Sequence, residues 1–226
     1  MVTDSVACLP PTIVQAYGIR VIPVRISVTG RTYSDTVEEL PPRLVDAFRV
    51  TPIDTTPWPP EHYARIYSNI AADHASIVHV VAFSRFTSTM SLAQEGAILA
   101  QERHSGLKIE IVDSGSTGMA QGFVALAAAR AARTGATIEA CCQAAREMAE
   151  RVASIFALES LDHVARTGRV TRLAAWASSL LRVTPVVKLS HGREQPLFLA
   201  RSRTRAIRRI VDLITAAPEA EAAVHA

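Results

Sequence analysis

His79-Val80-Val81-Ala82-Phe83-Ser84-Arg85-Phe86-Thr87-Ser88-Thr89-Met90 is the stretch that decides how the chain folds. Its first five residues lean apolar and predict a buried strand. Five hydroxyl residues then fall within the eight positions from Ser84 to Ser91. Leu92 to Ala100 predicts a helix. A strand that runs through a hydroxyl-rich turn into a helix start gathers O–H and free N–H groups at one spot. The first turn of a helix has unpaired N–H groups and a partial positive charge, which suits an anion. The stretch therefore reads in two ways. It is a cradle for a small anion or carboxylate, or an ordinary N-cap, where Ser and Thr are the usual residues.

On the N-terminal side, Val2-Thr3-Asp4-Ser5 leads to Leu9-Pro10-Pro11, which starts a short helix through Ala16 that Gly18 ends. Ile19 to Val28 predicts a strand, with apolar Ile22, Val24, Ile26 and Val28 at period two. Gly30 turns the chain into Tyr33-Ser34-Asp35, and Pro41 to Phe48 predicts a helix. Thr51 to Pro60 carries four prolines in ten residues, so it is neither helix nor central strand. It reads as a rigid connector, or as a pocket wall whose Thr55 and Thr56 hydroxyls face a ligand beside an exposed Trp58. A helix follows from Glu61 to Ala71.

On the C-terminal side, the helix runs to about His104, and Leu107 to Val112 predicts a strand. Asp113-Ser114-Gly115-Ser116-Thr117-Gly118 is a second polar turn, followed by helices over Met119–Thr134 and Ile138–Ala153. Alternating strands and helices imply a mostly parallel sheet. Ligands of such sheets sit at the strand C-terminal edge. The turns at Asp4-Ser5, Ser84–Thr89 and Asp113–Thr117 all belong to that edge, which strengthens the cradle reading.

The character changes near residues 150–155. Ser154 to Leu158 predicts a strand, Leu161 to Arg166 a helical turn, and Ala174 to Leu181 a helix. Val183 to Ser190 and Pro196 to Ala200 predict a hairpin turning at His191-Gly192. The expected fold is α/β over residues 1–152, a mostly parallel sheet with helices on both faces. A smaller and incomplete α+β domain follows over 153–226.

With 49% hydrophobic and 20% charged residues among 226, the chain can bury a core. The net charge is +3 and the positive residues gather at Arg201-Ser202-Arg203-Thr204-Arg205 and Arg208-Arg209. That run lacks interleaved aromatics and any DNA-binding pattern, so it reads as a solvated helix face and no nucleic-acid partner is expected. Cys8, Cys141 and Cys142 have no metal spacing and read as small buried thiols of a reducing, cytoplasmic compartment. No secretory leader is expected, and no apolar run approaches the roughly 18 residues of a membrane span. Phosphate-loop, dinucleotide, HExxH and GxSxG patterns are missing, so no cofactor, metal or catalytic centre is expected. His79, inside an apolar strand, reads as structural. A hydrolase reading would need a histidine within reach of Ser84 or Ser114.

Several short motifs recur in order along nearly the whole chain. Val2-Thr3-Asp4-Ser5 with Leu9-Pro10 resembles the V-T-D-S-T…L-P opening of the bacterial DegV family. Val21-Ile22-Pro23-Val24 and Gly30-x-x-Tyr33-x-Asp35 resemble its second strand and following turn. Asp54 to Trp58 stands where the family has T-T-S-Q-P, and Phe83 to Thr89 where it has S-S-G-L-S-G-T. Val112-Asp113-Ser114, Thr167-Gly168-Arg169-Val170, Pro185, and Arg201-Ser202-Arg203 with Ala206-Ile207 resemble its later motifs. The resemblance implies two domains that enclose a long-chain fatty acid. Thr55 or Thr56 and Ser84 would hold its carboxylate, with Thr89 and Ser114 in the same hydroxyl set. It also implies a non-catalytic carrier that presents the acid to a fatty-acid kinase, with Arg201 and Arg203 as candidate partner contacts. The chain departs from the family at Asp54, Pro57-Trp58, Phe83, Arg85 and Ser88, and family members run on beyond the equivalent of Ala226. The alternative is a family member acting as a structural or protein-interaction module, which predicts an exposed apolar face.

Overall fold

The computed structural model describes residues 1–28, 30–36, 53–158 and 183–216. β1 (Val2–Asp4) leads through a 3-10 turn (Ser5–Ala7) into α1 (Pro11–Tyr17), β2 (Arg20–Ile22), β3 (Arg25–Val28) and β4 (Arg31–Ser34). Then come α2 (Pro60–Ala71), β5 (Ser76–Val81), α3 (Thr89–Arg103), β6 (Lys108–Asp113), α4 (Met119–Arg133) and α5 (Ile138–Ala149). β7 (Ala153–Ala157), β8 (Thr184–Ser190), β9 (Arg193–Ala200) and α6 (Arg203–Thr215) follow.

β2, β1, β5 and β6 lie side by side in that order and are parallel throughout. β5 is buried from Ile77 to Val81, as a strand covered on both faces must be. On one face Ile77 packs with Tyr63 and Tyr67 of α2 and with Ala93, Ala97 and Ala100 of α3. On the other, Val78 and Val80 pack with Val124 and Ala128 of α4 and Cys141, Cys142 and Ala145 of α5. The expected α/β layering is present. Cys8 differs from the buried thiol expected there: it is exposed, in a left-handed backbone conformation that caps the 3-10 turn.

α2 and α3 cross at Gly96. A Cβ there would lie 2.6 Å from the Tyr63 Cβ and 2.7 Å from the Pro60 carbonyl oxygen. Only a residue with no side chain allows so close a crossing, and the crossing sets Tyr63 beside the first turn of α3.

The single strand expected over Ile19–Val28 is two strands in two sheets. Pro23 has a fixed φ and no N–H, so it cannot continue the ladder. The next N–H, of Val24, is donated to Ser5 Oγ at 3.0 Å. The chain then leaves for a separate antiparallel pair, β3–β4. The helix expected to reach Ala153 stops at Ala149, because Ala153–Ala157 is claimed by antiparallel pairing with β8. β7, β8 and β9 form a second, antiparallel sheet, against which α6 packs Ala206 next to Val186 and Ala200. The expected elements at Pro41–Phe48, Leu161–Arg166, Thr167–Val170 and Ala174–Leu181 lie outside the described residues. Among the described residues, no helix is long and apolar enough to cross a membrane. No group of His, Cys, Asp and Glu there is suited to hold a metal.

Candidate ligand-binding site

The three polar turns expected at one sheet edge do follow β1, β5 and β6, which are neighbours and parallel. The first is spent on structure. Asp4 is buried, its Oδ1 accepting the Val6 N–H (3.0 Å) and Gln121 Nε2–H (2.9 Å), its Oδ2 the Ala82 N–H (3.2 Å). Burial raises the Asp4 pKa above the usual carboxylate value, against the pull of those hydrogen bonds. Gln121 in turn reaches Thr3 Oγ1 and leaves its own Oε1 without a partner.

The third turn is also tied up. Ser114 is 1% exposed and donates to the Ser116 carbonyl (3.0 Å), while Ser116 Oγ meets Ser154 Oγ (3.2 Å) and Ser154 donates to the Thr117 carbonyl (2.8 Å). These bonds join the turn to β7 of the second sheet. The His191-Gly192 hairpin rests on the same spot. A Cβ on Gly115 would lie 3.1 Å from the Gly192 nitrogen, and one on Gly192 3.2 Å from the Phe83 ring. Phe83 is 3% exposed and packs edge-on to Phe86 with centroids 5.0 Å apart.

The middle turn keeps its hydroxyls at the surface or facing a recess. Ser84 donates its N–H to the Asp113 carboxylate (3.2 Å), leaving an exposed side chain. Thr87 Oγ1 takes the Thr89 N–H (3.2 Å) and lies 2.8 Å from Thr89 Oγ1. Ser88 occupies the N-cap position without a side-chain cap bond. The ordinary N-cap reading is therefore met one residue early, by Thr87.

The proline-rich loop is fixed to β3: Ser27 and Asp54 exchange both backbone hydrogen bonds (2.7 and 2.9 Å). The Asp54 carboxylate accepts the Thr56 N–H (2.8 Å) and the Thr56 hydroxyl, and pairs with Arg25 at 3.8 Å. The Asp54 charge is thus compensated by Thr56 within the loop and by Arg25 of β3. Trp58 was expected to be exposed and is half-buried, donating Nε1–H to the Pro23 carbonyl (2.7 Å) and stacking on His62 at 4.2 Å. The strand break at Pro23 frees that carbonyl.

Two recesses meet here. The inner one, ≈ 290 Å³, has apolar walls from Ile22, Val24, Trp58, Ala82 and Phe86, with Thr55, Thr87 and Thr89 among its polar lining. The outer one, ≈ 700 Å³, is open and polar, with Thr56, Ser84, Arg85, Ser88 and Ser91 around it. Pro57, Phe86 and Thr87 line both and form the partition. Of the sequence candidates, Thr55 and Thr89 border the inner recess and Thr56 and Ser84 the outer, while Ser114 borders neither. Arg201 and Arg203 are exposed at the start of α6, where Ser202 Oγ caps the Arg205 N–H. Sequence reasoning did not single out Thr87, although it stands in the opening stretch, nor Arg25 and Tyr63, which no local pattern marks.

His79 is fully buried. Its Nδ1 lies 2.7 Å from the Tyr67 hydroxyl and its Nε2 has no partner. Burial, helped by the N-terminal charge, lowers its pKa to about 3, so the imidazole is neutral.

Comparison with known proteins agrees with this architecture. The family model "Uncharacterised protein, DegV family" matches residues 1–225. A DegV domain-containing protein of Streptomyces coelicolor is 31% identical over 214 residues, covering 94% of this chain and 75% of that protein. DegV of Bacillus subtilis, described as a fatty acid binding protein, superposes with a TM-score of 0.78 at 26% identity over 94% of this chain and 75% of that one. A stearic acid-binding protein of Eubacterium ventriosum shares the fold, with a TM-score of 0.82 at 21% identity over 94% and 74% of the two chains. The parallel sheet, its polar edge and a match over almost every residue together make this chain a member of the DegV family.

Proposed function

We propose that the chain binds a long-chain fatty acid, its tail in the inner recess and its carboxylate at the hydroxyls on the partition. The observation that carries this is the inner recess itself: apolar walls that also carry threonine hydroxyls, the Arg25 side chain and the buried Asp4, with an open polar recess beyond the partition. An acyl chain gains about 0.8 kcal/mol per buried methylene. A carboxylate entering such a site needs donors, and neutral hydroxyls supply them without a buried counter-charge. Relatives described as fatty acid binding and stearic acid-binding support the ligand class. Thr55, Thr56, Ser84 and Thr89 are the proposed head-group set, and Ser114 the prop beneath it.

The finer reading is a non-catalytic carrier in the cytoplasm. Among the described residues, all of the lining of both recesses comes from the domain of residues 1–152, so the acid sits on that domain rather than between it and the domain of 153–226, and the carrier would offer the carboxylate to a fatty-acid kinase through Arg201 and Arg203. The open outer recess, which would give a second protein access to the head group, supports the carrier reading. A protein-interaction module without lipid is the second reading, favoured by Ile207, Val211, Leu213 and Ile214, all exposed on α6.

Native mass spectrometry of the purified chain, followed by lipid extraction, separates the two. A co-purifying fatty acid that is weakened by Ser84→Ala supports the carrier. No bound lipid and no uptake of added oleate overturns it. With the carrier established, Arg201→Ala/Arg203→Ala should keep the lipid and lose stimulation of the kinase.

A further inference from the structure

Among the described residues, two charged groups border the inner recess, Asp4 and Arg25. Asp4 is already bonded to three donors. Arg25 is placed by strand pairing. Ser27 and Asp54 exchange backbone hydrogen bonds in antiparallel sense, so two positions along that pairing Arg25 stands opposite Thr56. Its Nε–H is donated to the Thr56 carbonyl at 3.1 Å, and its guanidinium lies 5.9 Å from the centre of the Trp58 ring. Strand, loop and indole thus hold the cation next to the partition, on a lining it shares with Thr55, Thr87 and Thr89.

A guanidinium carries five N–H groups in a planar fork. The one on Nε is spent on the Thr56 carbonyl. Nη2 lies 3.8 Å from Asp54 Oδ2, an ion-pair distance that is too long for a hydrogen bond. Among the described residues, neither Nη group has a hydrogen-bond partner. Asp54 borders neither recess, and its side chain is 57% exposed against 27% for Arg25. The carboxylate therefore stands on the solvent side of the pair and the cation on the recess side.

We infer that Arg25 is a specificity-determining residue of the inner recess: its Nη groups engage an anionic head group, while Asp54 behind it fixes the guanidinium and tempers its pull. This rests on the fatty-acid reading above and adds selection by charge to it. Threonine hydroxyls donate to an acid and to an alcohol alike, whereas a cation favours the acid alone. The planar fork also offers a carboxylate two parallel N–H groups, which the ammonium of a lysine does not. Asp54 repels the same carboxylate, so the preference for the acid is set by the balance of the two charges.

The test compares oleate with oleyl alcohol on the full chain at low ionic strength. Each competes with a fluorescent fatty-acid probe whose own affinity is measured on every variant. Arg25→Gln should weaken oleate about tenfold, the low end for bonds to a charged group because the side chain is partly exposed. Oleyl alcohol should change less than about twofold, which also shows that the recess of the variant is intact. Arg25→Lys, which keeps the charge without the fork, should recover about threefold of the loss. Asp54→Asn keeps an acceptor for the Thr56 N–H and should tighten oleate about threefold, with the alcohol unchanged. Salt at about 0.5 M should narrow the gap between acid and alcohol in the unmodified chain and not in Arg25→Gln. Equal losses for acid and alcohol, or a gap that salt does not narrow, overturn the inference and leave Arg25 a piece of wall. Weaker oleate binding by Asp54→Asn overturns the tempering role. If the unmodified chain binds neither ligand, the fatty-acid reading itself fails. If it binds both and Arg25→Gln leaves their ratio as it was, only the role of Arg25 fails.

Discussion

The turns after β5 and β6 are close to twins in sequence and opposites in use. Each follows a parallel strand, each is rich in Ser and Thr, and each leads into a helix of the same sheet. After β6, Ser114 and Ser116 spend their hydroxyls on the turn's own backbone and on Ser154 across the sheet boundary. After β5, Ser84 and Ser88 remain exposed and Thr87 faces a recess. The difference lies in what comes down on top. The His191-Gly192 hairpin seats on Gly115, whereas only the ring of Phe83 separates it from the β5 turn. A run of hydroxyls at a strand end is therefore raw material. Whether it binds a ligand depends on how many donors the fold leaves unspent.

The sharpest way to break the contrast is to spoil the support of the β5 turn. Gly96→Ala forces a Cβ into the Pro60 backbone and Tyr63, and should cost about 3 kcal/mol, read as a lower urea midpoint at unchanged slope. Next is the seat of the β6 turn. Gly115→Ala puts a side chain at φ +59 and 3.1 Å from Gly192, and should cost about 2 kcal/mol with little change in oleate affinity. An equal loss of affinity would show that the two turns are not independent.

His79 gives a pH test on the strand that carries the β5 turn. Its imidazole titrates near 6.5 when unfolded and near 3 when folded. Between those values the unfolded chain binds a proton that the native chain refuses. Stability from this group is therefore whole above about pH 6.5 and is lost as pH falls, by up to about 1.4 kcal/mol per unit. Asp4, shifted upward, acts in the opposite sense just above its unfolded value, so the slope is read as the difference between the unmodified chain and His79→Phe. Identical slopes would mean that His79 is hydrated in the native state. The smallest effect compares the hydroxyls directly. Ser116→Ala should cost about 1 kcal/mol of stability, and Ser84→Ala less than about 0.5 kcal/mol, with any change in affinity confined to the second.

Much of this fold was legible because local rules and tertiary needs agree. The apolar run at β5, the proline at the start of α1 and the Ala-rich α4 each dictate one structure. The reading failed where two rules compete. Ile19–Val28 has a clean period of two, and Pro23 overrides it because a single missing N–H ends a ladder. The site was legible as a place and less so as a set of contacts. Ser114 and Thr87 look alike in a sequence and each bonds within its own turn; what differs is the cover, the His191-Gly192 hairpin seated at Gly115 beside the one and a recess in front of the other. Tyr63 was invisible for the same reason. Its place at the inner recess depends on a glycine 33 positions away at a helix crossing.

Phe83 carries one further consequence, for where the chain can be divided. It belongs to the segment between β5 and α3, yet it is closed over by Gly192 from the second sheet. A fragment ending near residue 152 would keep every strand of the parallel sheet and still lose the cover of that ring. It would present bare aromatic surface beside its most polar edge, an invitation to self-association. The parallel and antiparallel sheets share no ladder, yet they are tied through Ser154 and through the cover of Phe83, so neither half is a finished module.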